Sequence, residues 1–128
     1  PFGTLSNRSD RTLKFYAANI YPEHIMQALN HTPLFKLLTG KFVMEKKYLK
    51  NMDEYLELHI ELRQGVRSAD RLARTIQARV VETLEKINME YAFLRRHLAK
   101  DIVPRIDLRP YQDPAYFKAG LKPRYIAQ

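Results

Sequence analysis

The stretch from Tyr55 to Gln64 does most to limit what this chain can fold into. Leu56, Leu58, Ile60 and Leu62 alternate there with Glu57, His59, Glu61 and Arg63. Successive side chains of a strand point to opposite faces, so the pattern predicts a half-buried strand with leucines on a core and charges in water. Such a strand needs a second layer to cover its apolar side. Residues 69–87 can supply it, because Leu72, Ile76, Val80, Leu84 and Ile87 recur at helical spacing. Ser68 is the expected N-cap, and Asp70 suits the positive end of the helix. The opposite face carries Arg71, Arg74, Arg79 and Lys86, diluted by Asp70, Glu82 and Glu85. It reads as a solvated face rather than a phosphate track.

The other elements follow in order. Leu13, Phe15 and Ala17 alternate with Lys14 and Tyr16 as a short strand. Pro22 to Asn30 reads as a helix with Ile25, Met26 and Leu29 on one side, Pro22 in its first turn and Thr32-Pro33 as its stop. Gly40 is expected to punctuate the start of a strand through Phe42, Val43 and Met44. Lys50-Asn51-Met52-Asp53 has turn composition, which makes that strand and the next a hairpin. Asn88 interrupts the long helix, and Tyr91, Leu94 and Leu98 continue a second one. After the break at Ile102-Val103-Pro104, Ile106 and Leu108 predict a short edge strand. Asp113-Pro114 opens a turn through Tyr116 and Phe117, and Gly120 to Ile126 closes the chain. The predicted class is α+β, a small sheet of a hairpin plus edge strands with helices packed on one face.

With 128 residues the chain has room for one core. No apolar run approaches the roughly 20 residues of a membrane span, and nothing at the start resembles a signal peptide. Beginning at Pro1 without Met, the chain is expected to be part of a longer polypeptide. Zero cysteines exclude disulfides, thiolate zinc sites and cysteine nucleophiles, in keeping with a cytoplasmic location. The net charge of +8 favours an anionic partner only weakly, because the basic residues are scattered. No phosphate loop, nucleophile elbow or His-Glu-x-x-His is present. Glu57 and Glu61 would stand roughly 13 Å apart on a strand, beyond the spacing of paired glycosidase carboxylates, and read as a wet face. His24 and His31 lack a third ligand at metal-binding spacing. One alternative is a basic α+β nucleic-acid-binding module using Lys46, Lys47, Lys50 and the Arg71/Arg74/Arg79 face. Tyr16 and Tyr48 would be its stacking platforms, yet no recognition-strand motif frames them. By itself the chain is a poor candidate for a complete enzyme.

Asn7-Arg8-Ser9-Asp10, a short strand, then Asn19-Ile20-Tyr21-Pro22-Glu23-His24-Ile25 opening a helix resembles the hinge segment of the adenylate-forming enzymes. The branch it is most similar to is that of the phenylacetate–CoA ligases. The likeness runs from Asn7 to about Ile126, with only the first sixteen or so positions specific. It implies that residues 1–10 are a hinge or linker from an N-terminal adenylating domain, and residues 11–128 a C-terminal lid domain. The whole enzyme would be an ATP-dependent acid–CoA ligase acting on an aryl or related carboxylic acid, with the isolated lid inactive. The partner would be the N-terminal domain of the same polypeptide, holding most contacts to ATP, Mg2+ and coenzyme A. Neither a membrane nor a nucleic-acid partner is expected. Arg8 matches the family arginine that contacts the nucleotide, and Asp10 the hinge position. Lys122 sits where the resemblance places the catalytic lysine, with Lys118 as rival because Leu121 stands where the family more often has Gly. Asn7 and Ala17 also replace family glycines. Ala17 lies on the expected coenzyme A channel, so either the channel tolerates a methyl group or adenylation occurs without thioester formation. Ligase is the preferred reading.

Overall fold

The alternating strand lies at the centre of a three-stranded sheet in the computed structural model, which describes residues 12–16, 18–30, 32–98, 102–117 and 126. In chain order the elements are β1 (Leu13–Phe15), β2 (Ala18–Ile20), α1 (Pro22–Leu29), α2 (Thr32–Phe35), β3 (Leu38–Tyr48), β4 (Glu54–Leu62), α3 (Asp70–Ile87), α4 (Met89–His97) and β5 (Arg105–Arg109). The fold is α+β, with β3 antiparallel and β5 parallel to the central β4. β1 and β2 form a separate two-stranded hairpin.

The apolar face carries Phe42 and Met44 from β3 and Leu56, Leu58, Ile60 and Leu62 from β4. All six are essentially inaccessible, with Ile106 and Leu108 of β5 beside them. α1 brings Ile25, Ala28 and Leu29 to this core, and α3 brings Ile76, Val80 and Leu84. Each fully buried leucine or isoleucine contributes about 1.5–3 kcal/mol relative to exposure, so the sheet–helix contact dominates stability. The helical periodicity of residues 72–87 therefore reads out directly as packing. Ser68 does not cap α3. The N-cap position falls on Ala69, with no side-chain cap, and Asp70 stays in the first turn.

Three expectations change at the chain's turns. The strand through Ala17 ends at Phe15, where Tyr16 takes a left-handed conformation (φ 52°) and the chain returns as β2. Period-2 alternation describes a strand but carries no mark of a turn inside it. Tyr16 is held by Glu54. Its N–H donates to Glu54 Oε1 at 2.9 Å, while its hydroxyl accepts from Glu54 N at 3.2 Å and donates to Glu54 O at 3.3 Å. Thr32-Pro33 ends α1 but opens the one-turn α2, where a proline in the first turn forfeits no hydrogen bond. β3 starts at Leu38, not Gly40, and its register with β4 shifts between Leu38 and Phe42. Gly40 lies at that irregularity with φ +94°, and no atom lies within 4 Å of where its Cβ would be. Gly40→Ala should therefore cost about 1–2 kcal/mol through backbone strain alone. Urea unfolding checks this, and an unchanged midpoint would show that the bulge relaxes.

Asn88 separates α3 from α4 and ties them to the hairpin. Its Oδ1 accepts from Tyr91 N at 3.0 Å as the N-cap of α4, and its Nδ2 donates to Asn19 O at 2.9 Å. The side chain is buried. Asn88→Ala removes the cap and strands a carbonyl, for an expected loss of about 2 kcal/mol. Asn88→Asp keeps the capping oxygen and should recover about half of it. Equal losses from the two variants would assign the whole effect to the Asn19 bond. Among the described residues, no helix is long and apolar enough to cross a membrane.

Candidate functional site

The charged face of the sheet is where sequence and structure part most sharply. Glu57, His59 and Glu61 are expected in water, yet His59 and Glu61 are each only 1% exposed. The parallel register pairs Glu57 with Arg105, His59 with Asp107 and Glu61 with Arg109. β3 adds Val43, Glu45 and Lys47 to the same face. The tail after β5 then folds across it. Burial of this face follows from a third strand and a cover that β4's own alternation does not encode. One sequence signal was available. Arg105-Ile106-Asp107-Leu108-Arg109 alternates as β4 does, with charges opposite to Glu57, His59 and Glu61 position by position.

His59 is the centre of the resulting network. Its Nε2 lies 2.8 Å from Glu45 Oε1 and its Nδ1 2.7 Å from Asp107 Oδ2. A carboxylate only accepts, so both bonds are made at once when each ring nitrogen carries a proton. Tyr116 stacks on the imidazole with centroids 3.9 Å apart and planes 14° from parallel, and its hydroxyl donates to Glu45 Oε1 at 3.2 Å. Arg109 Nε donates to Asp107 at 2.7 Å, its Nη1 to Asp113 at 3.0 Å, and its guanidinium lies over the Tyr116 ring. Glu61 accepts from the Thr39 hydroxyl and from Gln112 N, both at 2.7 Å.

The charges tune one another. Burial raises the Glu45 carboxyl, but His59, Lys47 and the Tyr116 hydroxyl together outweigh it and hold it below the usual range. Burial likewise opposes ionisation of Asp107, and the bonds from His59 and Arg109 prevail. Lys47 is pushed up by its bond to Glu57, Arg109 by its bond to Asp107, and the Tyr116 phenol by burial together with the charge of Glu45. Donor atoms of Glu45, Glu57 and His59 lie within 4.8 Å of one another, close enough for a metal ion. Lys47 Nζ already sits 2.6 Å from Glu57 and 3.7 Å from Glu45, so an ammonium supplies the positive charge there. The network has the character of a fixed clamp, with His59, Glu45, Asp107 and Tyr116 bonded to one another.

Of the residues singled out by resemblance, Arg8, Asp10, Ala17, Lys118 and Lys122 all lie outside the described residues. Their described neighbours are placed. Tyr16, just before Ala17, lines a small cleft of about 90 Å³ with Leu49, Asp53, Glu54, Tyr55, Val103 and Arg105. Phe117, just before Lys118, is buried. His24 places its Nδ1 3.5 Å from Asn88 Nδ2, and His31 lies outside the described residues. On the basic face of α3, Arg79 pairs with Glu82 at 2.7 Å, and Arg95 of α4 reaches Glu85 at 2.9 Å.

No protein-family model matches the sequence, and no curated protein matches it. Among solved structures, the chain is similar to the crystal structure of a domain of phenylacetate-coenzyme A ligase from Bacteroides vulgatus ATCC 8482. The TM-score is 0.55 at 16% sequence identity, with 91% of each chain covered. At that identity the likeness is one of fold, and it extends over nearly the whole of both chains.

Proposed function

We propose that this chain is the C-terminal lid domain of an ATP-dependent acid–CoA ligase, an acyl-adenylate-forming enzyme acting on an aryl or related carboxylic acid. The observation that carries the proposal is a fold shared with a phenylacetate-coenzyme A ligase domain over 91% of both chains. The hinge-like order from Asn7 to Ile25 in the sequence supports it independently. Adenylation joins a carboxylate to the α-phosphate of ATP and expels pyrophosphate, which crowds negative charge at one point. A positioned cation there lowers the barrier. Lys122, or Lys118 in its place, would supply that cation, and Arg8 would bind the nucleotide through its planar fork. Asp10 would be the hinge about which the lid turns between half-reactions. Ala17 would face the coenzyme A channel. The N-terminal domain of the same polypeptide would hold most of ATP, Mg2+, coenzyme A and the acid.

ATP–pyrophosphate exchange with a panel of aryl carboxylic acids tests this. The native full-length polypeptide should catalyse exchange with at least one of them, and the isolated chain with none. A full-length polypeptide inert toward the whole panel would refute the assignment, as would exchange by the chain alone.

A further inference from the structure

The geometry that closes the second face of the sheet depends on a proton. The His59 imidazole is 1% exposed and aims a nitrogen at each of two carboxylates, Nε2 at Glu45 Oε1 over 2.8 Å and Nδ1 at Asp107 Oδ2 over 2.7 Å. A neutral imidazole has a single N–H and can donate to only one of them. Its other nitrogen would then turn a lone pair on a carboxylate oxygen at hydrogen-bonding distance. Among the described residues, β3 meets His59 with Glu45 and Lys47, and β4 flanks it with Glu57 and Glu61. β5 adds Arg105, Asp107 and Arg109, and the turn after β5 adds Asp113 and Tyr116. Carboxylates outnumber cations there, so a second proton on the ring offsets an acidic surplus. Glu45 and Asp107 stay below the usual carboxylate range in spite of burial, while Lys47, Arg109 and the Tyr116 phenol are pushed above theirs. Between those limits the imidazole is the member of this set with a proton to lose.

The two carboxylates are not equally supported. Asp107 keeps Arg109 Nε at 2.7 Å whether or not the ring is charged. Glu45 Oε1 keeps only the longer contacts, the Tyr116 hydroxyl at 3.2 Å and Lys47 at 3.7 Å, and Glu57 Oε1 stands 3.6 Å from the same Nε2. Loss of the Nε2 proton therefore sets two carboxylates against one lone pair, and Glu45 has to turn from the ring. Tyr116 is seated on the two groups that then separate, its ring on the imidazole and its hydroxyl on Glu45. Glu45, 28% exposed, gives the proton its way to water.

We propose that His59 is a proton-operated latch, doubly protonated when it bridges Glu45 and Asp107 and seats Tyr116, and releasing Ala115 to Phe117 from the sheet when Nε2 gives up its proton. Gln112 and Asp113 remain tied to Glu61 and Arg109, so the opening is local. The docked state binds the additional proton. Docking is therefore favoured while the imidazole holds both protons, and is lost as pH rises through its titration in the folded protein. The latch is independent of the lid assignment.

The test uses the native full-length polypeptide from about pH 5 to pH 9. Histidine C2–H exchange read by mass spectrometry follows the His59 imidazole, and amide exchange, corrected for its intrinsic pH dependence, follows the turn. Ala115, Tyr116 and Phe117 all donate their amides to Asp113, and so short a turn protects them only while it is docked. Their protection should fall on the order of tenfold, the weight of one charge-assisted hydrogen bond, at the pH where the imidazole titrates. α3 should keep its protection throughout. His59→Gln, which has no proton to lose in this range, should show low protection of the turn at every pH and no transition. The wild-type titration decides the matter even where that variant does not fold. Protection that stays level while the imidazole titrates overturns the latch. So does an imidazole that does not titrate in this range, a transition displaced from its titration, or a His59→Gln protein with the wild-type transition.

Discussion

Replacing His59 with alanine is expected to destabilise the domain by about 2–3 kcal/mol at neutral pH. Glu45 and Asp107 would be left on one sheet face without the group that bridges them at 2.8 and 2.7 Å. Removing one partner of a buried ionic pair typically costs about 3–5 kcal/mol. The lower figure applies because Arg109 stays on Asp107, Lys47 stays near Glu45, and the two carboxylates keep 28% of their exposure. Loss of the stacked Tyr116 contact adds to the effect. The pH dependence identifies its origin. Both carboxyls sit below their ordinary range in the folded protein. Their stabilising contribution is therefore complete above the unfolded carboxylate pKa of about 4, and is lost as pH falls through the lower folded values. In His59→Ala the main lowering partner is gone, so that contribution is already much reduced at neutral pH. The gap between wild type and variant should accordingly narrow between about pH 7 and pH 3. Urea unfolding at both pH values measures it. A gap of constant size would mean that packing, and not charge, holds the tail to the sheet.

Under the lid assignment, the second large effect is kinetic. Lys122→Ala in the native polypeptide should slow ATP–pyrophosphate exchange by about 100- to 1000-fold, or about 3–4 kcal/mol, the scale of losing one preorganised transition-state donor. KM for ATP should change little, because the missing charge acts where the acyl–phosphate junction forms. Lys118→Ala in parallel decides between the rivals. Exchange that survives loss of Lys122 and disappears with Lys118 transfers the role. Survival of both substitutions removes a tail lysine from the mechanism altogether. Unfolding midpoints of both variants provide the control that separates chemistry from folding.

His59 anchors the chain after β5 through its stack on Tyr116. The ionic network leaves the apolar face of β4 to the helices, which already occupy it.

Local chemistry settles much of this fold without any tertiary contact. The 3.6-residue recurrence of Leu72, Ile76, Val80 and Leu84 fixed α3 and the side it buries. Asn88 marked the break before α4 because its side chain competes with helix and then caps one. The alternation from Leu56 to Leu62 fixed β4 and its apolar face. These signals are legible because each rests on neighbours within a few residues. The hinge-like motif pointed toward an enzyme class by likeness, though the residues it nominates lie outside those described. Tertiary structure alone decided the fate of β4's second face. Alternation says that two faces differ, but it cannot say whether water or protein meets the polar one. Asp107 reaches His59 across 48 positions and Tyr116 reaches Glu45 across 71. No local pattern specifies such pairings, because they exist only once β5 has docked in parallel and the tail has crossed the sheet.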